Sequence, residues 1–155
     1  MKGLIAVGLI GLSLAACAKG EAIRTSATTM LVTARADPDC GPEGAARVAS
    51  DTAAIETIKA GYDRYVIVDG AASNNVHATQ LPGSFRTEKM FSGSRTIRTT
   101  TYVPGAIVQT GKYNQQLSVQ MFRDGEPGAA QAIPARESLG PNWAQKVRDG
   151  VSTCL

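Results

Sequence analysis

The chain has 155 residues, 43% of them apolar, with 16 Lys and Arg against 13 Asp and Glu. A net charge of +3 excludes a strongly basic nucleic-acid binder and an acidic solvating tail, and the length points to one domain. The apolar share is weighted toward small side chains, because Ala supplies 23 residues and Gly adds another 16.

The chain opens with Met1–Lys2–Gly3, a short positive start, followed by an uncharged apolar run from Leu4 to Leu14. That run is too short for a bilayer span of about 20 residues but fits the apolar core of a secretory signal peptide. It ends in Leu14–Ala15–Ala16–Cys17. This resembles a lipobox, the Leu-small-small-Cys pattern of bacterial lipoprotein precursors. The resemblance implies cleavage before Cys17, with acyl chains on its sulfur and on the new amino terminus. Several chains on one residue make a stable membrane anchor. Ala18, rather than Asp, follows the Cys, which in a two-membrane host implies the outer membrane facing the periplasm. Without Lys2 the remaining 15 basic and 13 acidic side chains leave +2, and the remainder holds 33 large apolar residues. With so little charge, the expectation is a lean-cored globular domain rather than disorder.

If Cys17 is lipidated, Cys40 and Cys154 remain, and an exported compartment permits their pairing. A bridge between them closes a loop of roughly 115 residues and ties down the chain end. Two free thiols or an intermolecular bridge are the rival outcomes. The absence of Cys-x-x-Cys spacing argues against a catalytic pair.

Residues 17–28 are polar and small and predict a flexible, lipidated tether. Thr28 to Ala34 predicts a strand, and Asp37–Pro38–Asp39–Cys40–Gly41–Pro42 predicts a loop. A helix is expected to open at Glu43 or Gly44. Its face combines Val48, Thr52, Ile55 and Lys59 with Ala45, Ala49, Ala53 and Ile58, and Gly61 stands at the left-handed cap. Tyr65–Val66–Ile67–Val68 predicts a strand buried on both faces, completing a βαβ-length unit. Residues 69–93 predict a long loop or irregular hairpin, and Arg95 to Val103 a Thr-rich strand. Gln116 to Phe122 alternates, with Leu117, Val119 and Met121 on one face. Ala130 to Ala135 predicts a short edge strand because it contains Pro134. Asn142 is the expected cap of a last helix from Trp143 to Val151.

The expected fold is a single small α+β domain over residues 29–155: a mixed sheet of about four or five strands, one long helix packed on it and a short C-terminal helix.

Val32–Thr33–Ala34–Arg35, Ala53–Ala54–Ile55–Glu56–Thr57–Ile58, Gly61–Tyr62–Asp63–Arg64–Tyr65–Val66–Ile67–Val68 and, more loosely, Gln120–Met121–Phe122 together resemble a group of small uncharacterised proteobacterial lipoproteins. The resemblance implies the fold and the envelope address, and it carries over no functional residue. The Cys40 loop departs from it, standing where the family has an aromatic-containing turn.

No segment matches a nucleophile elbow, a phosphate loop or a zinc helix, so no catalytic, cofactor-binding or metal-binding residue is assigned. Asp37, Asp39 and Glu43 lack the full set of calcium-loop ligands, and a solvated turn is expected there. Asp63 and Asp69 are expected as turn formers and His77 as a loop residue. The candidate contact residues are Phe85, Arg86, Lys89, Phe91, Arg95 and Arg98, a modest basic cluster interleaved with aromatics. The expectation is a non-enzymatic binding or structural module, attached to the membrane by its lipid, with an envelope protein as partner and no nucleic acid. The alternatives are a redox or stress sensor using a switchable Cys40–Cys154 pair, and an envelope hydrolase using Asp63, Asp69 or His77.

Overall fold

A computed structural model describes residues 18–151. Residues 1–17, which hold the expected leader and Cys17, and residues 152–155, which hold Cys154, lie outside the described residues.

The first strand, β1 (Ala18–Arg24), pairs antiparallel with β2 (Thr29–Ala36). This corrects the expected tether. The segment is too small and polar to announce a strand, yet Ala18 is buried and Gly20 lies directly on the helix. A Cβ on Gly20 would collide with the Thr52 hydroxyl. Small residues here are what let β1 approach the helix.

In β2 the alternate residues Met30, Val32, Ala34 and Ala36 are buried, the period-2 pattern of a strand covered on one face. A 3-10 turn, Pro38–Cys40, leads into α1 (Gly41–Lys59). The helix begins earlier than expected, with Pro42 in its first turn, where a missing N–H costs nothing. Ala45, Val48, Ala49, Thr52, Ala53 and Ile55 form its buried face, while Lys59 turns out to solvent. Thr52 and Thr57 are buried, and each donates its hydroxyl back to the carbonyl four residues earlier, at 2.6 and 2.7 Å. The helix ends as the glycine predicts. Gly61 has φ +81°, its N–H bonds the Ile58 carbonyl, and the Tyr62 N–H bonds that of Thr57.

Next come β3 (Arg64–Asn74) and, much later in the chain, β8 (Tyr113–Phe122). The sheet order is β1-β2-β8-β3-β9, with β9 the two-residue edge Ile133–Pro134. Every hydrogen-bonded pair in it is antiparallel. β2 and β3 run in the same direction, as the βαβ reading requires, but β8 is inserted between them. The architecture is α+β, with one long helix on a five-stranded sheet and the short helices α2 (Ala135–Leu139) and α3 (Trp143–Asp149) beside it. Asn142 stands at the start of α3 but makes no side-chain capping bond.

Tyr65 is buried, but Ile67 and Val68 are 37% and 62% exposed, against the expectation of a strand buried on both faces. The helix shelters one side of the sheet only, and a bulge at Val68 shifts the register where β3 leaves that shelter. The largest fully buried side chains are Met121, Val32, Val48, Val119 and Thr57, all at the interface of β2, β8 and α1. Trp143, Val147 and Val151 pack partly against this core, in line with their helical spacing.

Candidate functional site

Residues 69–93, expected as a long loop or irregular hairpin, instead finish β3 and enter a two-stranded ribbon over residues 75–112 that continues from β3 and β8. It consists of β4 (His77–Gln80) paired with β7 (Ile107–Thr110), then β5 (Ser84–Ser92) paired with β6 (Arg95–Val103). Hydrogen bonds carry the pairing across the breaks: Asn75 N–H to the Lys112 carbonyl at 3.2 Å and Leu81 N–H to that of Ala106 at 2.9 Å. Each strand of the β5–β6 hairpin has nine residues, about 30 Å at 3.3 Å per residue. The irregular-hairpin expectation was therefore nearer than the loop, and the extra order comes from the local pairing of β5 with β6 and the longer-range pairing of β4 with β7.

The hairpin closes through a two-residue turn, Gly93–Ser94, between the paired Ser92 and Arg95. Gly93 has φ +60°, the conformation that a tight hairpin turn requires at its first central position. Threonines at 87, 96, 99, 100 and 101 favour extended backbone, and the Thr87 and Thr100 hydroxyls meet across the strands at 3.0 Å. Every residue of β5 and β6 is exposed. The arm therefore gains nothing from the core, and a two-stranded hairpin by itself is marginally stable in water.

The register places each candidate contact residue. One face carries Phe85, Thr87, Lys89 and Phe91 opposite Tyr102, Thr100, Arg98 and Thr96. Phe85 and Tyr102 form a tilted ring pair with centroids 5.3 Å apart. Lys89 lies directly opposite Arg98, a like-charge pairing that disfavours the isolated hairpin. The other face carries Arg86, Glu88 and Met90 opposite Thr101, Thr99 and Ile97, with Arg95 at the turn. All six candidates thus share one hairpin but divide between its faces: Phe85, Lys89, Phe91 and Arg98 on one, Arg86 and Arg95 on the other. Sequence reasoning missed Tyr102 and Ile97, which the cross-strand partners bring to Phe85 and Met90.

The foot of the arm is tied to the domain. Lys112 is ion-paired with Asp37, immediately before the turn that carries Cys40. Cys40 is disulfide-bonded and packs partly against the core. Among the described residues no cluster of three His, Cys, Asp or Glu is placed to hold a metal. A small cavity beside the foot is lined by Pro42, Ala45, Ala72, Asn74 and Tyr113.

The three residues of the hydrolase alternative are held apart by strand geometry. Asp63 precedes β3 at the opposite end of the sheet from the arm, accepting bonds from Arg136 at 3.1 Å and from the Asp124 backbone N–H at 3.2 Å. Those bonds, that of the backbone first, hold its carboxyl below the usual range. Arg64 binds Asp124 at 2.6 Å, so Asp63 belongs to a structural charge cluster. Asp69 lies about 20 Å further along the strand, capping the Gly70 N–H at 2.9 Å. His77 is on the arm, its ring between the Asn75 carbonyl and the Thr110 hydroxyl at 3.2 and 3.1 Å.

No helix among the described residues is long and apolar enough to cross a membrane. Comparison with family models, with curated proteins and with solved structures found no match to this chain.

Proposed function

We propose that this protein is a lipid-anchored envelope module, held through Cys17 on the periplasmic side of the outer membrane, which works by binding rather than by catalysis and presents the residue 75–112 arm to its partner. The observation that carries this reading is the arm itself. A chain with few large apolar residues places Phe85, Met90 and Phe91 on a hairpin where they are 75%, 68% and 77% exposed. Exposed apolar groups clustered among cations are the usual mark of a contact surface. The leader and the Leu14–Ala15–Ala16–Cys17 segment support the address. So does the Cys40 disulfide, a bond that persists in oxidising compartments. A lipidated Cys17 has no thiol to offer, so the proposed bridge is Cys40–Cys154.

The test is crosslinking in cells from photoreactive residues at positions 85 and 91. A specific adduct that the same residue at position 47, on the exposed side of α1, fails to give supports the reading; equal labelling from both positions overturns it. Cys17→Ser tests the anchor, which falls if the variant stays in the membrane fraction.

The Asp37–Lys112 ion pair favours a second reading, a redox or stress sensor. Opening the Cys40 bridge would loosen the turn that fastens the foot of the arm. A Cys40 bridge that ordinary cellular reductants leave intact would count against it.

A further inference from the structure

We propose that the tip of the β5–β6 hairpin inserts into an anionic phospholipid surface, an inference that rests on the arm being the contact element of the module. Three features of the tip converge. First, its apolar side chains are on both faces. Phe91 projects to one side, and the Met90–Ile97 pair to the other, two and three residues from the Gly93–Ser94 turn. A flat protein surface covers one face of a ribbon. A lipid interface surrounds an inserted tip and covers both.

Second, the cations ring this apolar end. Lys89 and Arg98 lie one pair behind Phe91 on its face, and Arg95 sits beside the turn. Among the described residues none of the three has an ion-pair partner, and the one carboxylate of the hairpin, Glu88, lies further from the turn, on the face opposite Lys89 and Arg98. Residues 84–103 carry four cations and one carboxylate, while the rest of the chain is close to balanced. Headgroup phosphates relieve the repulsion between the opposed Lys89 and Arg98.

Third, the next layer suits the interfacial zone. Thr87 and Thr100 separate the cations from the Phe85–Tyr102 ring pair, and Tyr is a side chain favoured at headgroup depth. The whole tip is exposed, so insertion disturbs no packing of the core.

The experiment is sedimentation of the chain from residue 18 onward, which retains the entire sheet, helix and arm. The probes are vesicles of phosphatidylglycerol with phosphatidylcholine and vesicles of phosphatidylcholine alone. Binding to the first and not the second, weakened by salt, is expected. Lys89→Gln and Arg98→Gln should each lower the partition constant about fivefold, and Phe91→Ser about tenfold or more. Circular dichroism spectra should be unchanged. Equal binding to both vesicles, no binding, or variants that bind like the parent would overturn the proposal. If vesicles are ignored while position 91 crosslinks a specific protein in cells, the lipid proposal falls and the arm reading stands. If both fail, both fall.

Discussion

Lys112 and Asp37 face each other across the foot of the arm, joining the last residue before β8 to the turn that carries Cys40. Their side chains are 52% and 36% exposed, so the pair is well solvated and contributes at most about 1 kcal/mol. Lys112→Ala should therefore leave the urea midpoint almost unchanged. Hydrogen exchange should nonetheless accelerate at Asn75, His77 and Thr110, because the ribbon loses its tie to the domain. Unchanged exchange there would remove the pair from any role in fixing the arm.

The contact of β1 with α1 predicts a rescue. Gly20→Ala drives a methyl into Thr52, and overpacking of this kind costs about 1–3 kcal/mol. Thr52→Ala removes the obstructing hydroxyl, so the double variant should recover much of that loss. A double-mutant cycle in urea measures the coupling. Independent, additive effects would show that β1 is not seated on the helix.

Core and arm should respond differently to truncation. Met121→Ala opens a cavity among β8, β2 and α1 and should cost about 2–5 kcal/mol. Phe91→Ala, at 77% exposure, should change stability by less than about 0.5 kcal/mol. Thermal unfolding of the two variants checks the contrast, and a destabilised Phe91 variant would mean that the arm packs on something in the free protein.

Asp63 has its carboxyl pKa lowered from 3.8 by the Asp124 backbone N–H and the Arg136 guanidinium. A carboxyl more acidic in the folded state contributes stability that is present above its unfolded pKa. That contribution fades as the pH falls through the folded value. Stability should thus drop on acidification below about pH 4. Asp63→Asn should flatten that part of the curve. Arg136→Ala should move the Asp63 titration upward, as followed by carboxyl NMR.

The proposed Cys40–Cys154 bridge gives a mass and a stability prediction. The non-reduced chain should show no free thiol at either residue. Closing about 115 residues should stabilise it by roughly 4–5 kcal/mol in the chain-entropy model. Cys40→Ser should lower the urea midpoint accordingly, and two alkylatable thiols in the non-reduced protein would disprove the pairing.

Local patterns were legible in the sequence because their cause is local. The alternation in β2 and β8, the three-and-four spacing of α1 and the glycine after it each report a face meeting one core. The same holds for Pro134 on its edge strand and for the apolar stripe of α3. Candidate contact residues also announced themselves, as apolar side chains and cations in a stretch with no burial pattern. What the sequence did not reveal depends on partners far along the chain. The strand at β1 is visible only beside Thr52, since Gly and Ala matter there for closeness rather than hydrophobicity. The insertion of β8 between β2 and β3 is decided by backbone hydrogen bonds between separated segments, while the register that sets Lys89 against Arg98 is fixed by where the Gly93–Ser94 turn falls. Such bonds leave little trace in side-chain periodicity. The 155 residues by themselves determined a lean core with a basic, apolar interruption. Only the tertiary structure made that interruption a two-faced arm standing clear of the core.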